Sequence, residues 1–320
     1  MVSVCMPSAV IATAYGGPEV LSIADEPAAE PGPGQALISV RAAGVNPFDY
    51  KMYSGAFGAD QAKLPMRLGF EAAGVVTAVG PGTAGPAGQV AEGDEVIAYR
   101  VSGGYATDLV APGEALVPKP RALDWAQAAG LMLTGATAWH ALVATDIGEG
   151  DTVLIHGGAG GVGIMAVQLA AVRGATVVAT ASPARHELLR DLGAIPVSYG
   201  AGLADQVRKA APLGIDAALD LVGTDEAVDV SLELVPDRSR ITTIAAFGRA
   251  GSAGIKAIGG GPGADPGTQI RAAARLELAR LAGEGALRVL VSKTFPLARA
   301  ADAHRTIMSG HAAGKIALIP

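Results

Sequence analysis

DTVLIHGGAGGVG (Asp151–Gly163) is an apolar run that ends in Gly158-x-Gly160-x-x-Gly163 and flows into IMAVQLAAVRGA. That order reads as strand, tight turn and helix. Gly158 is expected to permit the tight turn, Gly160 to let backbone amides approach a pyrophosphate, and Gly163 to let the helix sit close against the strand. The helix N-terminus would hold the negative charge. A lone glycine fingerprint says little. Here ATVVAT (Ala175–Thr180) follows where the next βα unit should begin, so the stretch reads as a dinucleotide pocket.

The residues after the second strand choose between nucleotides. An NAD site places Asp or Glu about 20 residues after the first glycine, on the ribose 2′-hydroxyl. Thr180, Ala181 and Ser182 stand there instead. A carboxylate would repel a 2′-phosphate, whereas Ser182 can donate a hydrogen bond and Arg185 supplies planar donors and a full charge. The pattern predicts NADPH over NADH. The alternative is that Arg185 belongs to a solvated turn before HELLRDLGA.

The chain has 320 residues, half of them apolar, enough for two domains with their own cores. No uninterrupted apolar run reaches the roughly 18 residues of a bilayer span, and no signal-peptide pattern opens the chain, so a soluble cytosolic protein is expected. A formal net charge of -6 without a Lys/Arg block argues against nucleic acid bound through its phosphates. The one cysteine, Cys5, lies in a disordered-looking leader, which leaves no disulfide framework and no thiolate metal site.

From Pro7 to about Leu123 short β-like runs alternate with Gly and Pro: AVIATAY, EVLSIADEP, QALISVRAAGV, GVVTAVG, DEVIAYR, YATDLVAP and ALVPKP. Such spacing predicts a strongly bent sheet or partial barrel. After Asp124, WAQAAGLMLTGATAWHALV is helical in period. From Asp151 the runs TVLIH, ATVVAT, IPVSY, AALDLV and ITTIAA alternate with helical stretches such as HELLRDLG and DEAVDVSLELV, the pattern of a doubly wound parallel sheet. GRAGSAGIKAIGGGPGADPG (Gly248–Gly267) is too rich in Gly and Pro for helix or strand and reads as a loop. A helix, a strand, a second helix and a closing strand, GKIALIP, complete the chain.

These residues resemble the medium-chain dehydrogenase/reductase superfamily, in its zinc-free quinone oxidoreductase branch, the zeta-crystallin-like proteins. The resemblance rests on VNPFDYKMYSG (Val45–Gly55), LGFEAAGVVTAVG (Leu68–Gly80), GDEVIAY, LTGATAWHAL (Leu133–Leu142), the glycine turn, DAALDLVG (Asp216–Gly223) and FPLARAADAHRTIMSGHAAGKIAL, in fixed order over nearly the whole chain. It implies an α/β protein: a GroES-like partial β-barrel, residues 1–124 with 291–320, completed by the last strand, and a Rossmann domain, 125–290, with the active site in the cleft between them. The zinc alcohol dehydrogenases carry Cys where Asn46 stands and His where Phe70 stands. A catalytic zinc needs about three protein ligands, and His140, His156, His186, His304 and His311 show no ligand spacing. Without a Lewis acid to hold an alkoxide, hydride addition to a quinone or α,β-unsaturated carbonyl is favoured, because hydrogen-bond donors can hold the delocalised anion it forms.

The resemblance implies roles for individual residues. Asn46 would offer its amide to the nicotinamide ribose or a substrate oxygen, or else serve the turn before Pro47. Thr134 would meet the nicotinamide ribose or carboxamide, or cap its helix. Gly160, Gly161 and Val162 would contact the pyrophosphate, and Ser182, Arg185 and Tyr199 would surround the 2′-phosphate. Val222, Ala246 and Phe247 would present backbone to the carboxamide. For proton delivery, the tyrosine that enoyl thioester reductases carry after the Asn-Pro motif is Phe57 here, which leaves Tyr50, Lys51 and Tyr53 nearby. Lys51 would need partial desolvation to act as an acid near neutrality, and otherwise it is an exposed loop lysine. The leading reading is an NADPH-dependent reductase of a quinone or enone, working as a homodimer. The rivals are an enoyl reductase of a carrier-bound or biosynthetic intermediate, and a non-catalytic NADPH-binding protein.

Overall fold

Alternation in QALISVRAAGV buries Ala36, Ile38, Val40 and Ala42 of the strand Gln35–Val45, the two-residue period of a strand with one face on a core. In the computed structural model, which describes residues 6–310 and 312–320, this strand is the hub of a seven-stranded sheet. Cys5 and His311 lie outside the described residues. The sheet runs Leu116–Pro118, Glu95–Tyr99, Glu71–Val79, Gln35–Val45, Lys315–Ile319, Val291–Pro296, with Asp108–Pro112 also paired to the hub. A smaller sheet joins Leu21–Asp25, Ser8–Ala12 and Met66–Arg67. The C-terminal strand pairs antiparallel with the hub through Ile316↔Val45 and Leu318↔Ala43, completing the N-terminal partial barrel. Ile38, Leu68, Val76, Leu109, Phe295 and Leu318 are among the residues of its core. The compact unit so formed comprises Met1–Leu133, Leu276–Gly285 and Val289–Pro320.

The second unit, Thr134–Arg275 with Ala286–Arg288, is built on six parallel strands. Their order is Ala194–Val197, Thr176–Thr180, Thr152–His156, Ala217–Asp220, Ile241–Thr243, Lys256–Ala257. In sequence order this is 3-2-1-4-5-6, the doubly wound Rossmann arrangement, whose strand order reverses beside Thr152–His156. Val153, Leu154 and Ile155 are fully buried because helices cover both faces of such a sheet. The helix Gly161–Val172 is buried from Gly163 to Ala170, which explains its nearly unbroken apolar sequence.

Three local readings change. The helical stretch after Asp124 is two helices, Trp125–Ala129 and Met132–Ala144, because Gly130 caps the first. Gly248–Gly267 is not wholly a loop. Phe247–Ala253 is helical, Gly254 ends the helix at φ 68°, and Lys256–Ala257 adds the sixth parallel strand. The apolar residues of GRAGSAGIKAI decide this, since Ala250, Ala253, Ile255 and Ile258 are all buried. VNPFDYKMYSG contains a helix, Pro47–Tyr53, so Lys51 stands in a last helical turn and not on a loop. Asn46 at its N-cap, Pro47 at its first position and Asp49 at N3 were its sequence signals.

Candidate active site

In the Rossmann unit the predicted nucleotide residues gather at the carboxyl edge of the parallel strands, where ligands of such folds bind. The turn after Thr152–His156 is held by Gly158 N–H on the Thr180 carbonyl and Gly157 N–H on Thr180 Oγ1. The left-handed residue is Gly157, at φ 79°, and not Gly158. Gly158 is needed for packing instead, since a Cβ there would lie 2.7 Å from the Ala179 Cβ. At Gly163 a Cβ would lie 2.1 Å from the Gly157 carbonyl oxygen, so only glycine lets the helix approach. Gly160 differs. A Cβ there would meet no protein atom closer than 3.4 Å, and the residue is exposed at the helix N-cap beside Gly161 and Val162. Its backbone is thus open to solvent at the start of the helix, and packing within the protein does not require a glycine there.

Ser182 and Arg185 stand on the short turn Pro183–Arg185 beyond Thr176–Thr180, with Arg185 N–H on the Ser182 carbonyl. The neighbouring strand ends in register, Thr180 beside Val197, and carries Tyr199, which is 62% exposed, two residues on. Ser182, Arg185 and Tyr199 therefore share one end of the sheet. Val222 follows Ala217–Asp220, and Ala246 and Phe247 follow Ile241–Thr243. Asp220, which the sequence reading missed, organises both loops. Its Oδ1 accepts from Val222 and Gly223 N–H, its Oδ2 accepts from Thr243 Oγ1, and Thr243 Oγ1 accepts from Ala245 and Ala246 N–H. Thr134 lies buried in the first turn of Met132–Ala144.

In the barrel unit three strand ends bring together Asn46, Glu71 and Lys315, all buried. Lys315 Nζ donates to Glu71 Oε1 at 2.8 Å, to Asn46 Oδ1 at 2.5 Å and to the Val45 carbonyl at 3.4 Å. Asn46 Nδ2 donates to Glu71 Oε1 and to the Gly44 carbonyl, and Glu71 Oε2 accepts from Leu133 N–H. An ammonium can only donate, which orients the Asn46 amide. Both of its N–H groups are spent, so what remains is acceptor capacity on Oδ1. Glu71 and Lys315 were not singled out from sequence because their roles depend on strands far apart in the chain.

A second buried chain runs beneath the Asn46 turn. Asp49 Oδ2 accepts from Asn46 N–H and from Tyr105 Oη, Tyr105 Oη meets His304 Nε2 at 3.1 Å, and His304 Nδ1 meets Tyr53 Oη at 2.7 Å. Burial raises the Asp49 carboxyl to about 7, against the pull of its donors, and lowers His304 to about 4. Tyr53 is also raised by burial and is 1% exposed. Its hydroxyl is committed to His304 in the core, so Tyr53 does not fit the proton-donor role. Tyr50 and Lys51 are half-buried on the same helix.

The residues do not fit a catalytic zinc. Phe70 packs 4.9 Å from Phe48 and 6.0 Å from Tyr99, ring centre to ring centre, and Asn46 already binds an ammonium. Among the described residues no three His, Cys, Asp or Glu side chains gather to hold a metal ion, and no helix is long and apolar enough to cross a membrane.

A family model described as alcohol dehydrogenase GroES-like domain matches residues 32–121, and one described as zinc-binding dehydrogenase matches residues 192–318. The synaptic vesicle membrane protein VAT-1 homolog of Mus musculus is 36% identical over 228 residues, 68% of this chain and 54% of that protein. The phthioceranic/hydroxyphthioceranic acid synthase of Mycobacterium tuberculosis is 39% identical over 219 residues, 67% of this chain but 10% of the synthase. The chain thus spans about half or less of these relatives. Among solved structures, the quinone oxidoreductase from Coxiella burnetii has 31% identity and a TM-score of 0.83, with 99% of this chain and 100% of that one covered. Mycobacterial Rv1454c, complexed with NADPH, has 30% identity and a TM-score of 0.84 over 98% of this chain and 100% of its own. Likeness to quinone oxidoreductases along the whole chain, with Asn46 and Phe70 where a zinc would need ligands, places this protein in the zinc-free, zeta-crystallin-like branch of the medium-chain dehydrogenase/reductase superfamily.

Proposed function

We propose that this chain is an NADPH-dependent, zinc-independent reductase of a quinone or an α,β-unsaturated carbonyl. The observation that carries the reading is the Lys315 ammonium seated on Asn46 and Glu71, with Phe70 among aromatic rings, which leaves no metal to hold an alkoxide. Conjugate reduction needs no such ion. The bound nicotinamide supplies a hydride. Gly160, Gly161 and Val162 receive the pyrophosphate, and Gly158 and Gly163 shape the turn that presents them. Ser182, Arg185 and Tyr199 hold the 2′-phosphate, the role for which a carboxylate at the strand end would be unsuited. Thr134, Val222, Ala246 and Phe247 position the nicotinamide end.

Asn46, with both amide hydrogens engaged, accepts from a ribose hydroxyl and does not donate to a substrate carbonyl. Proton delivery falls to Lys51, Tyr50 or solvent. A second reading, reduction of a carrier-bound enoyl intermediate, is favoured by the 39% identity to a segment of a mycobacterial acid synthase. We extend the proposal to a cytosolic homodimer, checked by light scattering.

The test is oxidation of NADPH and NADH by metal-free protein with one quinone, one enone and one enoyl thioester. NADPH consumption with the quinone or enone supports the first reading, and consumption with the thioester alone supports the second. Tight NADPH binding without consumption of any of the three would overturn both and leave a nucleotide-binding role.

A further inference from the structure

Among the described residues two buried side-chain polar atoms lack a hydrogen-bond partner, His140 Nε2 and Arg271 Nη2. They belong to residues bonded to each other. Arg271 Nε donates to His140 Nδ1 at 3.3 Å, and Arg271 Nη1 donates to Thr137 Oγ1 at 3.1 Å. A guanidinium only donates, so His140 Nδ1 is the acceptor and Nε2 carries the hydrogen. The imidazole is 0% exposed, and burial together with the adjacent guanidinium lowers its pKa, which keeps it neutral. One bonded Arg–His pair therefore holds a buried guanidinium donor without an acceptor and a buried imidazole N–H that no acceptor meets in hydrogen-bond geometry, where such groups ordinarily have acceptors.

The surroundings favour negative charge. Arg271 lies in the first turn of Thr268–Gly283, a helix of 16 residues, where the dipole is positive. The glycine-rich segment Gly259–Gly267 roofs the pair. A Cβ at Gly267 would fall 2.2 Å from the His140 ring, and one at Gly259 would lie 3.8 Å from Arg271 Nη2. Both glycines have positive φ, 57° and 114°, so the backbone there is open to glycine and to little else. Asp265 pins the segment, its Oδ1 accepting from Gly267 N–H. Its Oδ2 stops 3.4 Å from His140 Nε2 without forming a hydrogen bond, and the side chain is 63% exposed.

We infer that Arg271, backed by His140, is a recognition site for a carboxylate or phosphate group on the substrate, and that the incoming anion displaces the Asp265 carboxylate. Thr137 and His140 follow Thr134 along the same helix at three-residue steps, about 9 Å from Thr134 to His140. The anionic group would sit that far from the residue assigned to the nicotinamide, at the far end of an extended substrate. Identifying the ligand as substrate rests on the reductase reading, whereas anion binding itself does not.

The experiment is NMR of histidine ring nitrogens in the full-length, nucleotide-free chain, titrated with glutarate and separately with inorganic phosphate. Saturable shifts of the His140 resonances are expected, with those of buried His156 and His304 unchanged. Arg271→Gln should weaken the binding by about tenfold or more, the loss expected for a charged hydrogen bond. Asp265→Asn, which keeps the Gly267 contact, should tighten it. A phosphate response that disappears in Arg185→Ala but not in Arg271→Gln would assign it to the nucleotide edge and overturn the inference. Absence of any His140 shift would overturn it too, as would a shift unchanged in Arg271→Gln and Asp265→Asn alike. Should Arg271→Gln fail to fold, Asp265→Asn decides alone. With NADPH present, Arg271→Gln should raise KM for an enone bearing a terminal carboxylate and leave KM for its methyl ester in place. Because the titration needs no turnover, its failure and the failure of the reductase reading are separately visible.

Discussion

Lys315 Nζ reaches Asn46 Oδ1 across 269 residues of sequence, and the same ammonium bonds Glu71. The three residues form a buried unit in which the chain's own cation bonds the carboxylate of Glu71 and the amide of Asn46. Breaking such a pair from one side leaves a buried charge uncompensated, at a cost of about 3 to 5 kcal/mol. Lys315→Met is expected to destabilise the protein by that order. Adding Glu71→Gln should restore part of the loss, because a neutral amide needs no counter-charge. Urea unfolding of both single variants and the double checks it. Strictly additive losses would show that Lys315 and Glu71 do not act as a pair.

The glycines of the turn make opposite predictions. Gly163→Ala drives a methyl to 2.1 Å from the Gly157 carbonyl, so the helix must move off the strand at a cost of about 1 to 3 kcal/mol. Gly160→Ala meets only ordinary contact at 3.4 Å and should leave thermal stability nearly unchanged. Nucleotide affinity should fall in both. A Gly160→Ala protein that binds NADPH as well as the native chain would show that no ligand approaches there.

The alternating strands and helices of the parallel sheet were legible because apolar period and turn residues act locally, as in TVLIH before Gly157, whereas the closing role of GKIALIP in the barrel followed from the family resemblance and not from its pattern. Small geometric choices inside a motif were not. Which glycine of Gly157-Gly158 turns left-handed depends on how Ala179 and Leu189 pack against Gly158. The helix Pro47–Tyr53 was written in Asn46, Pro47 and Asp49, yet the glycines around it read as loop. The partners of Asn46 were beyond reach, since Lys315 arrives only through Ile316 pairing with Val45. Tyr53 illustrates the same limit: its direction, toward His304, is set by packing 251 residues away.

Buried titrating groups predict a composite pH profile. His156 and His304 are held near 4 by burial, so between their ordinary value of about 6.5 and 4 the unfolded chain binds protons the folded chain refuses. Their contribution is present above about pH 6.5 and is lost as pH falls, on the order of 3 kcal/mol each. Asp49 acts with the opposite sign. Its folded pKa of about 7 lies above the unfolded one, so its contribution is present at low pH and is lost as pH rises toward 7. In Asp49→Asn the opposing slope is removed. Its stability should fall more steeply than the native chain's from pH 6.5 to 4, so that it gains on the native chain as pH rises toward 7, and above that the difference should level off. Parallel stability curves for the two proteins, measured by denaturant unfolding across this range, would show that Asp49 ionises as it does in water.

Nucleotide preference turns on Arg185, on the turn after the second parallel strand, beside Ser182 and near the strand end that carries Tyr199. A guanidinium on the 2′-phosphate makes a charged hydrogen bond worth about 1.5 to 3 kcal/mol, whereas NADH presents only a hydroxyl. Arg185→Ala should therefore weaken NADPH by about 10- to 150-fold and NADH little. Fluorescence titration with both nucleotides reads the difference directly. Arg185→Lys should fall between, because a point charge retains attraction but loses the planar pair of donors. Equal losses for the two nucleotides would place Arg185 in the turn's own structure, and the 2′-phosphate would then need another cation at the same sheet edge.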